Sequence, residues 1–547
     1  MSIRRALPIG MMIFSLTALL ACWTGCESKP PATQPAAEPV ATAEKIGILP
    51  EGSPPPDVIV ILVDALRSDR LGAYGNRDML SPTMDRLSSE GVTFDWCMSQ
   101  APWTLPSVAT LFTSYYPGVH KAMNYHVVED MEQGKRAVQS VLSDDFTTLA
   151  EMMKSGGYQT AGFVGAKFLR AGYGFDQGFD HYDTSFAENT VRGDVLNAAF
   201  LKWFDEGRDK SKPMFAYLHY MDVHGPYNAA PRFMDPLMAE VEKKEDKQAL
   251  TGDQLKMLNA YLRVPPPEAT DPTQYERLRG YREYWEARYN AGVREMDFYL
   301  DQLIQNLKQR GVWNKAYVIL IADHGEALCE HDLWEHGYTL YQTDLQVPMI
   351  MHWPNVLPAG KRVRRIAGLM DLMPTLAEQL HLTAPNGIQG VSLVDHISDR
   401  LPEKPLQLRF AEGIKAGPRQ YALFTELTKL VLTYLPGQPQ PDGTTSKPMV
   451  MQQLFNLGSD PQELFDVSNQ YLDHVKWMGQ IMRRIITENQ SIQPAAIAPP
   501  KPVDQATINA LSSLGYTGGD EGDEEPESQP MTQPAAEPSP EAPEPTP

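Results

Sequence analysis

Cysteine is scarce, with four in 547 residues, too few for a disulfide-stapled scaffold. Basic residues are also short, 48 Lys and Arg against 69 Asp and Glu. That balance excludes nucleic-acid binding through a general basic field, so no nucleic-acid partner is expected. Of the net −21, nine acids lie in the base-free stretch from Asp520 to Glu544, which leaves the body near −12 and ordinary for a soluble enzyme. Membrane-spanning length is missing too. The apolar stretch from Ala6 to Ala21 falls short of the ~20 residues that a spanning helix needs.

That stretch follows Arg4 and Arg5 and has the length of a signal-peptide core, which predicts export. It closes in Leu19-Leu20-Ala21-Cys22, which resembles a bacterial lipobox, with Cys26 as a poorer candidate and an ordinary cleaved signal peptide as the alternative. The expectation is a signal peptide over 1–22 and a protein lipid-anchored to a bacterial membrane, periplasmic or on the cell surface. Eight prolines fall within residues 29–56, so residues 23–56 read as a tether. Thr-Gln-Pro-Ala-Ala-Glu-Pro occurs at 33–39 and again at 532–538, and 518–547 reads as an acidic, Pro-rich disordered tail.

The body between them reads as α/β. Val58–Val63 is an uninterrupted, mostly β-branched run that stops at Asp64, and Val318–Ala322 does the same and stops at Asp323. As buried parallel strands they bring both acids to one rim of a sheet, where α/β enzymes place their chemistry. Ser81-Pro82 predicts an N-cap for a helix ending at Gly91, and Val293, Met296, Leu300, Leu303, Ile304 and Leu307 keep a helical period up to Gly311. Residues 228–283 are polar, hold Pro265-Pro266-Pro267 and show no clear period; they read as an insertion or lid. Cys97 and Cys329 fit a disulfide or two buried thiols.

Thr104, in Trp103-Thr104-Leu105-Pro106-Ser107, precedes residues of helical spacing, at a helix N-terminus that favours an anion. A threonine there is ordinarily a cap. The neighbours change the weighting: Asp64, Asp323 and His324 offer two carboxylates and an imidazole at strand ends, and with the Thr104 hydroxyl they complete most of a divalent metal's shell. The bland alternative is that these acids only cap helices.

Several segments carry a resemblance: Val63 through Gly72, Trp103–Ser107, Tyr116-Pro117, Gly174–Asp180, Ala322–Glu326, Leu454-Phe455-Asn456-Leu457 with Asp460-Pro461, and Leu514-Gly515-Tyr516. They are similar to the sulfatases of the alkaline phosphatase superfamily across nearly the whole body. The resemblance implies a mixed β-sheet sandwiched between helices over 57–395 and a smaller C-terminal subdomain with an antiparallel sheet over 396–517. It implies hydrolysis of sulfate or phosphate esters through a covalent intermediate. It makes Asp64, Asp323 and His324 metal ligands, Thr104 ligand and nucleophile, and His224 and His336 groups that meet the substrate oxyanion or protonate the leaving oxygen. His219 and His120 read as structural.

The departures bear on the chemistry. Sulfatases carry Cys or Ser where this chain has Thr104 and oxidise it to formylglycine; Val108 and Gln346 stand where the family often has Arg, and Ala65 replaces a second aspartate. The nucleophile and its Asp-His pair resemble the phospho-transfer branch, so a phosphodiester or phosphonate ester hydrolase, or a phospho-group transferase, is an alternative. A catalytically degenerate surface binding protein is another. One divalent ion is expected, with Mn²⁺, Zn²⁺, Ca²⁺ and Mg²⁺ unresolved. The expected substrate is a sulfated or phosphorylated glycan, lipid or small-molecule ester.

Overall fold

A computed structural model describes residues 47–130, 134–188, 191–245, 282–400, 407–437, 445–492, 498–504 and Ile508. The expected signal peptide and tail lie outside them, as do residues 246–281 of the expected lid and Leu514-Gly515-Tyr516. Among the described residues no helix is long and apolar enough to cross a membrane.

The large sheet is built from Val58–Val63 (β1), Val92–Met98 (β2), Gln159–Val164 (β3), His181–Asp183 (β4), Met214–Tyr220 (β5), Tyr317–Ile321 (β6), Gln346–Val347 (β7), Met349–His352 (β8) and Lys361–Gly368 (β9). β1 lies between β5 and β6, parallel to both, with Leu62 opposite Ile321. β3 and β4 continue the parallel array beyond β5. On the other side β8 runs antiparallel to β6 and to β2, and β9 pairs parallel with β2. The sheet is therefore mixed. All six side chains of β1 and all five of β6 are buried, as expected for strands covered on both faces.

Helices cover both faces. Pro82–Ser89 (α1), Gly193–Lys202 (α2) and the long Arg282–Gln309 (α3) pack together on one side; Thr104–Thr113, Leu149–Ser155 and Leu372–Gln379 pack together on the other. The apolar stripe from Val293 to Leu307 is buried as its period predicts, and the chain breaks at Gly311 with φ +69°.

Three readings change. Ser81 does not cap α1 with its side chain. Instead Asp297, from α3, accepts the Thr83 and Met84 amides at 2.9–3.0 Å, while the Ser81 hydroxyl serves Gly72 N and Asp85. The polar stretch after residue 228 contains a helix, Pro231–Glu245, with Pro236 inside it; Met234 packs against Ala291 of α3. Residues 47–49, at the end of the expected tether, are docked: Gly47 N donates to Val356 O and Leu49 N to Gln379 O.

The C-terminal sheet is a meander of Arg409–Glu412 (β10), Gln420–Phe424 (β11), Thr428–Leu435 (β12) and Met449–Asn456 (β13), antiparallel throughout. Its strands alternate. Leu430 and Leu432 pack under the helix Leu472–Ser491, whereas Val431 joins Met98 and Ile366 in a core shared with the large sheet. Cys97 and Cys329 are both buried and are not joined in a disulfide, which answers the disulfide question against a bond.

Candidate active site

The rim on which β1 and β6 end carries the site. After Val63 the chain turns sharply: Asp64 N donates to Tyr220 O at 2.9 Å, and Ala65 takes φ +58°, a left-handed conformation that costs a residue with a Cβ. Tyr289 of α3 holds this turn, donating its hydroxyl to Ala65 O at 2.7 Å and accepting from Arg67 N at 2.9 Å. Asp323 follows β6, and its Oδ1 accepts from Ala65 N at 3.3 Å and His324 N at 3.0 Å, so the two strand ends are tied to each other.

Thr104 is the first residue of its helix, with extended Trp103 before it and no side-chain cap. Trp103 is pinned by its indole N–H on Gly413 O at 2.7 Å. The Thr104 Oγ1 thereby stands 3.4 Å from Asp64 Oδ2 and 3.3 Å from His324 Nε2. His324 Nε2 lies 3.4 Å from both Asp64 Oδ1 and Asp323 Oδ2. The four expected ligands are together.

These separations are long for hydrogen bonds and close to the ~3 Å spacing of ligand atoms around one small cation. Asp64 Oδ1 and Asp323 Oδ2 are buried with no hydrogen-bond partner. Two fully buried carboxylates that leave an oxygen each unmatched fit a divalent ion. Asp64, His219 and Asp323 also form a three-residue cluster of metal-binding donors. His219 was read as structural, yet its Nε2 is 3.0 Å from Asp64 Oδ2 while Tyr217 OH meets its Nδ1 at 2.8 Å. Held at both nitrogens, His219 orients Asp64. Its place inside a buried strand gave no signal to distinguish it from a core histidine.

Electrostatics separate the groups. Burial and then the Asp64 charge push Asp323 up to about 6. Burial opposes the charge on Asp64 as well, but the His219 hydrogen bond and the nearby histidines outweigh it and hold Asp64 well below the usual carboxylate range. Burial likewise opposes a charged His324, and Asp323 and Asp64 overcome it, raising His324 to about 10. A cation in the site would take over that role from the proton.

His224 and His336 join this centre. The His336 ring lies 4.1 Å from that of His324 and 5.0 Å from that of His224, centroid to centroid. His324 and His224 donate Nδ1–H to Gly325 O and Gly225 O, each at 2.8 Å. His336 Nδ1 is 2.9 Å from Glu326 Oε1. Burial and the two neighbouring histidines hold His336 well below its usual value, and burial raises Glu326 to about 7, so this contact is a hydrogen bond more than an ion pair. With all three Nδ1 atoms committed, any proton exchanged with a substrate passes through Nε2.

Sequence reasoning missed Glu326 as a partner of His336. Near the site, the turn Lys167–Leu169 carries a buried lysine, Lys167, that burial and then Arg170 bring down to about 8, and its Phe168 ring meets Trp103 edge-on at 5.5 Å. His120 is structural as read: it is buried, bonded to Thr110 Oγ1 at 3.0 Å, and lowered to about 3 by burial. Val108, where the family often has Arg, lies in the apolar core.

The sulfatase family model matches residues 56–382, and the C-terminal model of N-sulphoglucosamine sulphohydrolase matches residues 329–490. The chain belongs to the sulfatase family. It is an ester hydrolase of that class. An arylsulfatase of Clostridium perfringens is 21% identical over 78% of this chain and 93% of its own length. An N-acetylglucosamine-6-O-sulfatase of Bacteroides thetaiotaomicron is 24% identical over 62% of this chain and 70% of its own. Among solved structures, one in complex with D-glucosamine-2-N,6-O-disulfate superposes with a TM-score of 0.61 at 19% identity, covering 80% of this chain and 99% of that one. The phosphonate monoester hydrolase of Agrobacterium radiobacter superposes at 0.58 and 19%, covering 79% and 96%.

Proposed function

We propose that this family member hydrolyses sulfate-type or phosphate-type esters of glycans or small molecules with Thr104 as nucleophile, and that it prefers phosphodiester or phosphonate esters. The observation that carries the reading is the Thr104 hydroxyl at a helix N-terminus, 3.4 Å from Asp64 and 3.3 Å from His324. Asp64, Asp323, His324 and the Thr104 oxygen would hold one divalent cation, which supplies positive charge for an ionised hydroxyl and a developing oxyanion. The helix amides behind Thr104 add to that field.

The ionised Thr104 Oγ1 then forms a bond to phosphorus or sulfur as the bond to the leaving oxygen breaks, and His224 delivers a proton to that oxygen through Nε2, with the neutral His336 beside it as a hydrogen-bonding partner. Water next attacks the threonine ester and restores the hydroxyl. The substitution of threonine decides the preference. Formylglycine is an aldehyde; a secondary alcohol such as Thr104 can be oxidised only to a ketone, so release by collapse of an aldehyde hydrate is closed. Hydrolysis of phosphothreonine at a cationic centre remains open. The fold shared with a phosphonate monoester hydrolase is compatible with this reading.

The test is kcat/KM on matched 4-nitrophenyl sulfate, phenylphosphonate and phosphodiester with added Mn²⁺, using the wild type, Thr104→Ala and Thr104→Ser. Phosphorus esters should be preferred, Thr104→Ala inactive and Thr104→Ser partly active. A clear preference for the sulfate ester by unmodified enzyme would overturn the nucleophile argument. We also propose export and a lipid anchor at Cys22, supported by Leu19-Leu20-Ala21-Cys22; mass spectrometry of the N-terminal peptide should find acyl groups there, and cleavage elsewhere without them would refute it.

A further inference from the structure

Asp460-Pro461 belongs to the segments that carry the family likeness, yet it lies far in sequence from every group in the site. The turn it opens is tightly bonded. Glu463 N donates to Asp460 O at 3.1 Å, and the Asp460 carboxylate accepts Leu464 N at 3.1 Å and Phe465 N at 2.8 Å. The turn delivers Glu463 with φ +57°, strained for a residue with a Cβ.

The Glu463 side chain is fully buried, as is its partner: Oε1 stands 2.6 Å from Lys429 Nζ of β12. The ammonium lies over the rings of Phe424 at 4.9 Å and Tyr341 at 5.7 Å. Such a pair is a poor device for stability, because well-packed apolar residues commonly do as well or better. Its other oxygen suggests a use. Glu463 Oε2 accepts the backbone N–H of Gln342 at 2.7 Å. One residue on, Thr343 O accepts Glu326 N at 3.0 Å, and Asp344 O accepts Gly325 N at 2.8 Å. The approach is so close that a Cβ on Gly325 would stand 1.9 Å from Thr343 O.

We infer that Glu463, paired with Lys429, is a positioning residue: it fixes the Gln342–Asp344 backbone, which in turn fixes the Asp323–Glu326 turn and with it His324 and the Glu326–His336 contact. The C-terminal subdomain thus sets the geometry of a centre to which it gives no ligand.

The decisive comparison uses two neutral pairs in the full chain. Glu463→Gln with Lys429→Met keeps an acceptor for Gln342 N; Glu463→Leu with Lys429→Met removes it. A third variant, Gln342→Pro, removes the donor and leaves the ion pair intact, since proline suits the first position of a helix after extended Tyr341. Amide hydrogen exchange at Gly325 and Glu326 is read against β6. The Leu/Met pair and Gln342→Pro should lose about tenfold or more in protection at those two amides with β6 unchanged, and the Gln/Met pair should stay near wild type. The kinetic arm rests on the hydrolase reading: on whichever 4-nitrophenyl ester the wild type cleaves, kcat should fall about tenfold or more in the Leu/Met pair and in Gln342→Pro with KM nearly constant. Wild-type protection at Gly325 and Glu326 in Gln342→Pro, or equal losses in the two neutral pairs, would overturn the inference. If no ester is cleaved, the functional proposal fails and the exchange result still decides this one.

Discussion

Replacing Glu412 with Gln should stabilise the protein at pH 8 and leave it nearly unchanged at pH 5. Glu412 closes β10, and its Oε1 accepts Gly118 N at 2.7 Å in the turn Pro117–His120. Burial is the main influence on it and raises it from 4.5 to about 7, against the pull of Gly118, Lys121 and Arg419. Between those values the folded protein binds a proton that the unfolded chain has lost, so stability falls as pH rises across the window. At pH 8 the buried charge costs on the order of 3 kcal/mol relative to a group of ordinary value. Glutamine keeps a carbonyl for Gly118 and drops the charge; after about 1 kcal/mol for the weaker neutral bond, a gain of roughly 1–2 kcal/mol remains. Urea unfolding followed by tryptophan fluorescence at both pH values measures it, as a rise in midpoint at pH 8 only. An equal shift at pH 5, or a lower midpoint at pH 8, would refute the reasoning.

Three further outcomes are expected. Asp323→Ala should abolish turnover and metal retention while the circular dichroism spectrum persists, and full metal occupancy by elemental analysis would show the site misplaced. His219→Phe should lower metal affinity or kcat about 10–100-fold by releasing Asp64, and an unchanged metal titration would remove His219 from that role. Gly325→Ala should cost far more activity than stability, because its Cβ meets Thr343 O at 1.9 Å and the turn beside His324 must move; parallel losses of kcat and melting temperature would count against this.

The strands that end at Asp64 and Asp323 were legible because burial on both faces removes the polar alternation that marks exposed strands, leaving uninterrupted apolar runs. Their adjacency, and so the pairing of the two acids, followed from one assumption about parallel order that the register bears out. Thr104 was legible through company and likeness, not through its own segment. His219 was not, since a histidine within an apolar strand reads the same whether it faces core or carboxylate. The capping of α1 failed for a general reason: Asp297 lies 214 residues away in sequence, and no local pattern announces it. Pro236 concealed Pro231–Glu245 because a proline inside a helix breaks the propensity signal even where tertiary packing tolerates it.

Trp103 reaches Gly413 across 310 positions, and Gly118 reaches Glu412 across 294. Lys415 N adds a third tie by donating to Gly337 O, next to His336. These long closures impose an order in time on a chain made from its N-terminus. The residues proposed as ligands and nucleophile all leave the ribosome before β10 exists, but the partners of Trp103 and Gly337 do not. A nascent chain halted near residue 400 would hold Asp64, Thr104, Asp323 and His324 without the contacts that Gly413 and Lys415 make to Trp103 and Gly337.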